Sequence, residues 1–115
     1  MYDFARTSNS HGQKVLRKAI QKTLTSLGAN AGSALVWHLH NEGFSINSEP
    51  IDIDYFYECL HKILGEGGEV VIGMIFQEIC KLCIVENAWF SEDMPPVEKI
   101  HVVVAVLNKE VSNYK

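Results

Sequence analysis

Two cysteines and two histidines have the side chains best suited to a metal or redox site. Cys80 and Cys83 form a CxxC pair in CKLC, and His38 and His40 lie close together in WHLH. A structural zinc site needs four ligands, and a redox CxxC pair sits at a helix N-terminus, which lowers the thiol pKa. These cysteines come late in a predicted helix, where thiols pack as small apolar residues. We therefore expect core packing. The alternatives are a redox pair, or a protein that senses a small ligand or a metal ion through Cys80, Cys83 and a histidine.

The histidine spacing argues against a shared metal ion. Residues two apart point to different faces of a helix, whereas helical zinc ligands are four apart. Trp37, beside the two histidines, is instead expected to be half-exposed at a helix contact or a dimer interface. Asp52 and Asp54 suit helix capping better than paired acid–base catalysis, and no Ser, His and Asp stand at a triad-like spacing. The sequence therefore predicts no enzyme, no cofactor and no firm metal site.

A basic ridge marks the first predicted helix. Lys14, Lys18 and Lys22 are four residues apart and line one face, with Arg17 nearby, while most acidic residues lie in the rest of the chain. Such a ridge is commonly a solvated face; the alternatives are an acidic protein partner or a nucleic-acid backbone. The net charge of −4 and the lack of interleaved aromatic residues argue against nucleic acid.

The stretch LGEGGE, residues 64–69, could be taken for a phosphate-binding loop. Such a loop follows a strand and is followed by Lys and Ser or Thr, whereas here two glutamates would repel phosphate. A turn explains the residues better. Gly65 is expected to end one helix, Gly67 and Gly68 to allow a tight reversal, and Glu69 to lie in the first turn of the next helix.

Apolar residues recur every three or four positions along the chain. This spacing predicts an all-α, single compact bundle of about five helices, which would position the residues described above. Asn30 is expected to cap the second helix, and the fourth, apolar around most of its circumference, to be central. The β-branched last segment could be a strand, but its helical spacing and Pro96 favour a helix. The predicted helices span residues 13–28, 31–42, 52–65, 69–85 and 96–112.

The domain organisation follows from length and composition. Residues 1–12 are polar and are expected to form a flexible arm, and residues 13–115 a single helical domain. The longest apolar stretch is far shorter than the roughly 18 residues of a membrane span. Three cysteines, an odd number, favour a reducing cytoplasm.

The last helix carries more apolar surface than one side of a small bundle needs. Val102, Val103 and Val106 widen its main apolar stripe. A wide apolar face on a small domain is typical of a protein–protein contact. We therefore expect a protein partner, with a homodimer as the first hypothesis.

The order of these features resembles a small archaeal family of output domains from Nitrosopumilus signalling chains. The resemblance rests on Leu27-Gly28, Gly43-Phe44-Ser45-Ile46 and Leu64-Gly65-Glu66-Gly67, and it covers residues 15–84. The helix over 96–112 lies outside it. The resemblance implies a small helical, non-enzymatic module downstream of sensors, with no catalytic residues. An extra helix and no attached sensor domain suggest contact with a partner, including self-association.

Overall fold

Five α-helices make up the computed structural model, which describes the backbone of residues 11–113 and the side chains of residues 11–108. No strand occurs within that range, so the predicted all-α bundle of about five helices is confirmed. A single 3₁₀ turn, Asn87–Trp89, lies between the last two helices. The helices are α1 His11–Ser26, α2 Ala29–Asn41, α3 Ile53–Leu64, α4 Gly67–Leu82 and α5 Pro96–Asn113.

Helix α4 is central, as its apolar sequence predicts. It packs against α1, α3 and α5, while α2 lies at the edge and packs against α1 and α3. Complete burial of large aliphatic and aromatic side chains makes this core the main source of stability. The largest fully buried side chains are Leu16, Ile20, Thr23, Phe56, Leu60, Ile72, Ile75, Ile79 and Ile100.

The helix ends follow local chemistry, with one exception. The Asp52 side chain caps α3 by accepting a hydrogen bond from the Tyr55 backbone N–H at 3.1 Å, and Gly65 ends α3 with φ 60°. At α2 the prediction is wrong: Asn30 lies inside the helix, and Gly28 is the N-cap with φ 98°. A positive φ is cheap only for glycine, so the chain turns at Gly28 instead of using a side-chain cap.

The two later glycines of LGEGGE begin α4 instead of forming a reversal before it. Gly68 is buried against α3, and a Cβ there would lie 3.0 Å from the backbone carbon of Leu60. Such a close approach of two helices favours a residue without a side chain. Gly65 alone makes the turn, and Glu69 lies in the first turn of α4 as predicted.

The last segment is a helix, so the alternative of a strand is excluded. Its far end contacts the start of α1, where the Gly12 backbone N–H donates to Asn108 Oδ1 at 2.9 Å. His11 and Gly12 therefore belong to α1, although the sequence placed them in a flexible arm. The rest of the predicted arm, residues 1–10, lies outside the described residues. No helix within residues 11–113 has the length and apolar content to span a bilayer.

Candidate interaction surface

An apolar groove lies between α5 and the segment that follows α4. It has a volume of about 520 Å³, and only two of its lining side chains, His11 and Cys83, are polar. Pockets that hold small molecules or large side chains are commonly about 300–1,000 Å³. The lining residues are His11, Cys83, Ile84, Val85, Trp89, Phe90, Val102, Val103, Val106 and Leu107.

The floor of the groove belongs to the core. Val103 is only 3% exposed and Leu107 is also buried. Phe90 contacts Phe76 of α4 edge-to-face, with ring centroids 5.6 Å apart. Because these residues pack against α4, the floor has a fixed shape. Val103 is therefore a core residue that forms part of the groove floor, and its role in partner binding stays a prediction.

The walls and rim of the groove are exposed. Val102 and Val106 lie four residues apart on α5, so both face the groove next to the buried floor. Ile84 is 90% exposed and Trp89 is 63% exposed on the opposite side. These four residues account for four of the nine large exposed apolar side chains of the described residues. Their grouping around one concavity makes this the best candidate for a binding surface.

A buried lysine fixes the rim to α5. Lys99 donates from Nζ to Asn87 Oδ1 at 2.7 Å, and its ammonium lies 5.4 Å from the centroid of the Phe76 ring. Asn87 is the first residue of the 3₁₀ turn that ends at Trp89. The ammonium therefore stabilises the turn through a charge-assisted hydrogen bond and a cation–π contact. Trp89 consequently projects from an anchored turn.

The groove carries no formal charge among its lining residues. Cys83 donates from Sγ to the Ile79 carbonyl oxygen at 3.0 Å, which leaves the groove surface mostly hydrocarbon and aromatic. Such a lining binds apolar and aromatic groups and offers little to a phosphate or a metal ion. Of the predicted partner-binding residues, Val102, Val103 and Val106 line this groove, Val103 as part of its buried floor.

Trp37 lies on a different surface. It is 62% exposed on α2, whose buried residues are Gly32, Leu35 and Leu39. Rotation by 100° per residue turns Trp37 away from that buried side. Its ring contacts His38 edge-to-face with centroids 5.0 Å apart. The structure therefore does not bring Trp37 together with the valines of α5.

The lysines of the basic ridge are exposed, as predicted. Lys14, Lys18 and Lys22 are exposed on α1. Arg17 also has a role within the fold, and its prediction as a partner-binding residue stays a prediction. Its guanidinium donates to the Ile46 carbonyl at 3.1 Å and to the Ser48 carbonyl at 2.6 Å. Arg17 thus holds the loop between α2 and α3 against α1.

The cysteine and histidine candidates do not form a metal cluster. No three His, Cys, Asp or Glu side chains are grouped as metal ligands in the described part of the chain. Cys80 and Cys83 are half-buried, and burial raises the pKa of the Cys80 thiol. A raised pKa lowers the thiolate fraction, which is the opposite of what a redox pair requires. His38 and His40 are both exposed on α2.

A polar cluster joins α3 to α4, and the sequence analysis did not predict it. The Tyr57 hydroxyl donates to Glu69 Oε2, and His61 Nε2 lies 3.0 Å from the same oxygen. The Tyr57 hydrogen bond lowers the pKa of Glu69, and the same bond raises the pKa of Tyr57. The signal was present: Tyr57 and His61 share a helix face, and Glu69 follows one short turn later. The cluster braces the corner between two helices.

The rim residues were also missed. The predicted helices leave a connection between residues 85 and 96, and prolines and polar residues dominate its end. Trp89 and Phe90 in that connection, and Ile84 before it, are the residues that could have indicated the rim. Large apolar residues in a short connection indicate that the connection is packed or forms a contact.

Comparisons with protein-family models, with curated proteins and with solved structures find no match to this chain. The resemblance to the archaeal output domains therefore stays a prediction.

Proposed function

We propose that this chain is a non-enzymatic interaction module that self-associates through the groove described above. The observation that carries the proposal is the grouping of Ile84, Trp89, Val102 and Val106 around one apolar concavity. Contact with another protein surface would remove this apolar area from water. A tryptophan on an anchored turn, next to a pocket, is typical of the residues that dominate binding energy.

A second copy suits this surface because the groove has no charged lining. In a symmetric contact each patch meets its own equivalent, so a charged patch would repel itself. The lining residues avoid that cost, since none of them is Asp, Glu, Lys or Arg. The net charge of −4 per copy comes from residues outside the lining, including the exposed Glu86 next to Val85, and salt screens it.

The resemblance to archaeal output domains supplies a setting for the proposal. A self-associating helical module would act as an output or adaptor domain that changes state when its copies meet. We place this module in the cytoplasm on the ground of its cysteines, since Cys59, Cys80 and Cys83 are all free thiols.

Two valines of equal exposure give a matched test. Val102 is 41% exposed in the groove, and Val36 is 42% exposed on α2. Val102→Glu places a charge in the proposed interface, whereas Val36→Glu places it outside. Solution mass is measured by size-exclusion chromatography with light scattering over a dilution series of each protein.

We expect a dimer for the wild-type protein and for Val36→Glu. For Val102→Glu we expect a dissociation constant raised at least about 30-fold, as for loss of an interface hot spot of roughly 2 kcal/mol. Circular dichroism confirms that both variants stay folded. A wild-type protein that is monomeric at every concentration, or equal behaviour of the two variants, would refute the proposal.

A further inference from the structure

The groove lies beside the residue at which the described part of the chain begins. His11, the first residue of α1, lines the groove together with Val106 and Leu107 of α5. The next residue, Gly12, donates its backbone N–H to Asn108 Oδ1 at 2.9 Å, which holds the start of α1 next to the Leu107 end of the groove. The segment that precedes His11 is therefore attached to the wall of the groove.

That segment, residues 1–10, lies outside the described residues, and its sequence divides into two parts. The first part, MYDF, carries the large side chains of Met1, Tyr2 and Phe4. Tyr2 and Phe4 are two residues apart, so both project to the same side of an extended chain. The second part, ARTSNS, has no apolar side chain larger than that of alanine. The segment thus consists of an apolar end and a polar linker.

The linker is long enough to bring the apolar end into the groove. Phe4 comes seven residues before His11, and a chain of that length spans at most about 25 Å when it is extended. The α5 side of the groove runs from Val102 to Leu107, which is about 8 Å along the helix. Phe4 can therefore reach every part of the groove while His11 stays in place.

The groove suits the chemistry of this apolar end. Its volume of about 520 Å³ and its lining of aliphatic and aromatic side chains accept aromatic rings by burial of apolar surface. The rim is exposed, so the Tyr2 hydroxyl can remain in water and no unpaired polar group is buried. Asp3 projects to the side opposite Tyr2 and Phe4 in an extended chain, so its carboxylate can also stay in water.

We propose that residues 1–10 fold back onto their own copy and place Tyr2 and Phe4 in the groove, where they compete with a second copy. A short linker holds such a segment at an effective concentration on the order of 1 mM, which favours it over untethered occupants. A second copy at lower concentration must displace the segment before two grooves can meet. The docking itself does not require self-association, whereas the competition rests on the proposed function.

Two double variants of the full chain test the proposal. Tyr2→Ser with Phe4→Ser, the aromatic variant, removes the side chains that would enter the groove. Asp3→Ser with Arg6→Ser, the charge variant, is the matched control, because it changes the same number of residues in the same segment. All four positions precede the described helices, and circular dichroism confirms that both variants stay folded.

The first measurement is made at a concentration where light scattering finds a monomer. In a Trp37→Phe background Trp89 is the remaining tryptophan of the chain, so quenching of its fluorescence by acrylamide reports whether the groove is covered. We expect the quenching constant to rise in the aromatic variant and to stay unchanged in the charge variant.

The second measurement is the dissociation constant of the dimer, from light scattering over a dilution series. A segment that covers half of the grooves weakens a contact between two grooves about fourfold, because both grooves must be free. We therefore expect the dissociation constant to fall at least about fourfold in the aromatic variant and to stay unchanged in the charge variant.

The other outcomes separate the docking from the self-association. Equal quenching of Trp89 in the wild-type sequence and the aromatic variant would overturn the docking and leave self-association standing. A dissociation constant that rises in the aromatic variant would overturn docking within one copy, because residues 1–10 would then contact the partner. Lost shielding of Trp89 with an unchanged dissociation constant would overturn the competition. A monomer at every concentration in both proteins, with Trp89 shielded only in the wild-type sequence, would support the docking and refute self-association.

Discussion

Two surfaces of this molecule expose the same kinds of side chain to the same extent. The groove carries Trp89 at 63% and Val102 at 41% exposure, and α2 carries Trp37 at 62% and Val36 at 42%. Exposure by itself therefore does not distinguish them. The difference lies in what surrounds each pair: Trp89 and Val102 line one groove of about 520 Å³, whereas Val36 lines a separate cavity of about 200 Å³ that does not include Trp37.

The comparison shows why scattered apolar residues need no explanation whereas grouped ones do. An apolar side chain on a convex surface buries only one side against a partner. A groove encloses its guest, so the same side chain loses more contact with water and gains more contacts. The groove is also supported from behind by α4, which fixes its shape before a partner arrives.

The largest loss of unfolding free energy is expected for a substitution in the floor of the groove. Val103→Glu would bury an unpaired carboxylate among core residues and should cost at least about 3 kcal/mol of unfolding free energy. Val102→Glu, one residue away on the exposed wall, should cost less than about 0.5 kcal/mol. Urea denaturation of the two variants at a concentration where the protein is monomeric measures the difference. Equal losses of unfolding free energy would show that Val103 in the floor and Val102 in the wall are equally buried.

A smaller loss of unfolding free energy is expected when the loop between α2 and α3 is released from α1. Arg17→Gln removes two charge-assisted hydrogen bonds to the loop carbonyls of Ile46 and Ser48 and should cost about 1–2 kcal/mol. Lys18→Gln, on the exposed ridge of the same helix, serves as control and should cost less than about 0.5 kcal/mol. Thermal unfolding followed by circular dichroism compares them. The dimer dissociation constant should be unchanged in both, since neither residue lines the groove.

The Tyr57–Glu69 contact lies on neither surface and should contribute less than about 1 kcal/mol, because both side chains are partly exposed. The pKa of Glu69 is lowered from 4.5, so its contribution is complete above that value and is lost as pH falls through the lower folded pKa. The pKa of Tyr57 is raised from 10.0, so its contribution is lost as pH rises above that value.

Glu69→Gln should therefore flatten the acid side of the curve of stability against pH, measured by urea denaturation from neutral pH to well below pH 4.5. If the stability of the wild-type protein and of Glu69→Gln fell equally with pH, the Tyr57–Glu69 contact would add nothing to stability. His101→Gln provides the comparison, because it alters an exposed contact in which His101 Nε2 lies 2.8 Å from Asp54 Oδ1.

The smallest effect is expected at the basic ridge. The triple variant Lys14→Glu, Lys18→Glu, Lys22→Glu should leave the dimer dissociation constant unchanged, because no lysine lines the groove. For the same reason the wild-type constant should vary little with salt concentration. Analytical ultracentrifugation at low and high salt measures both. A strong salt dependence would move the interface to the charged ridge and away from the groove.

Repeats of three and four residues were sufficient to predict the five helices and the central place of α4, because burial of one face dominates helix packing. The same pattern predicted Val102 and Val106 as surface residues of α5. It could not separate Val103 from them, since one residue is a rotation of only 100° and the neighbouring helix decides which side is buried. The roles of Arg17 and Trp89 depend on contacts between segments distant in sequence, which periodicity does not report.

The most direct measurement uses the fact that the chain has two tryptophans, one on each surface. Their indole N–H groups give two signals in a ¹H–¹⁵N correlation spectrum, and a Trp89→Phe variant assigns them. On raising the concentration of wild-type protein from monomer to dimer, the Trp89 signal should shift while the Trp37 signal stays in place. A shift of the Trp37 signal alone, or no shift of either while the mass doubles, would contradict an interface at the groove.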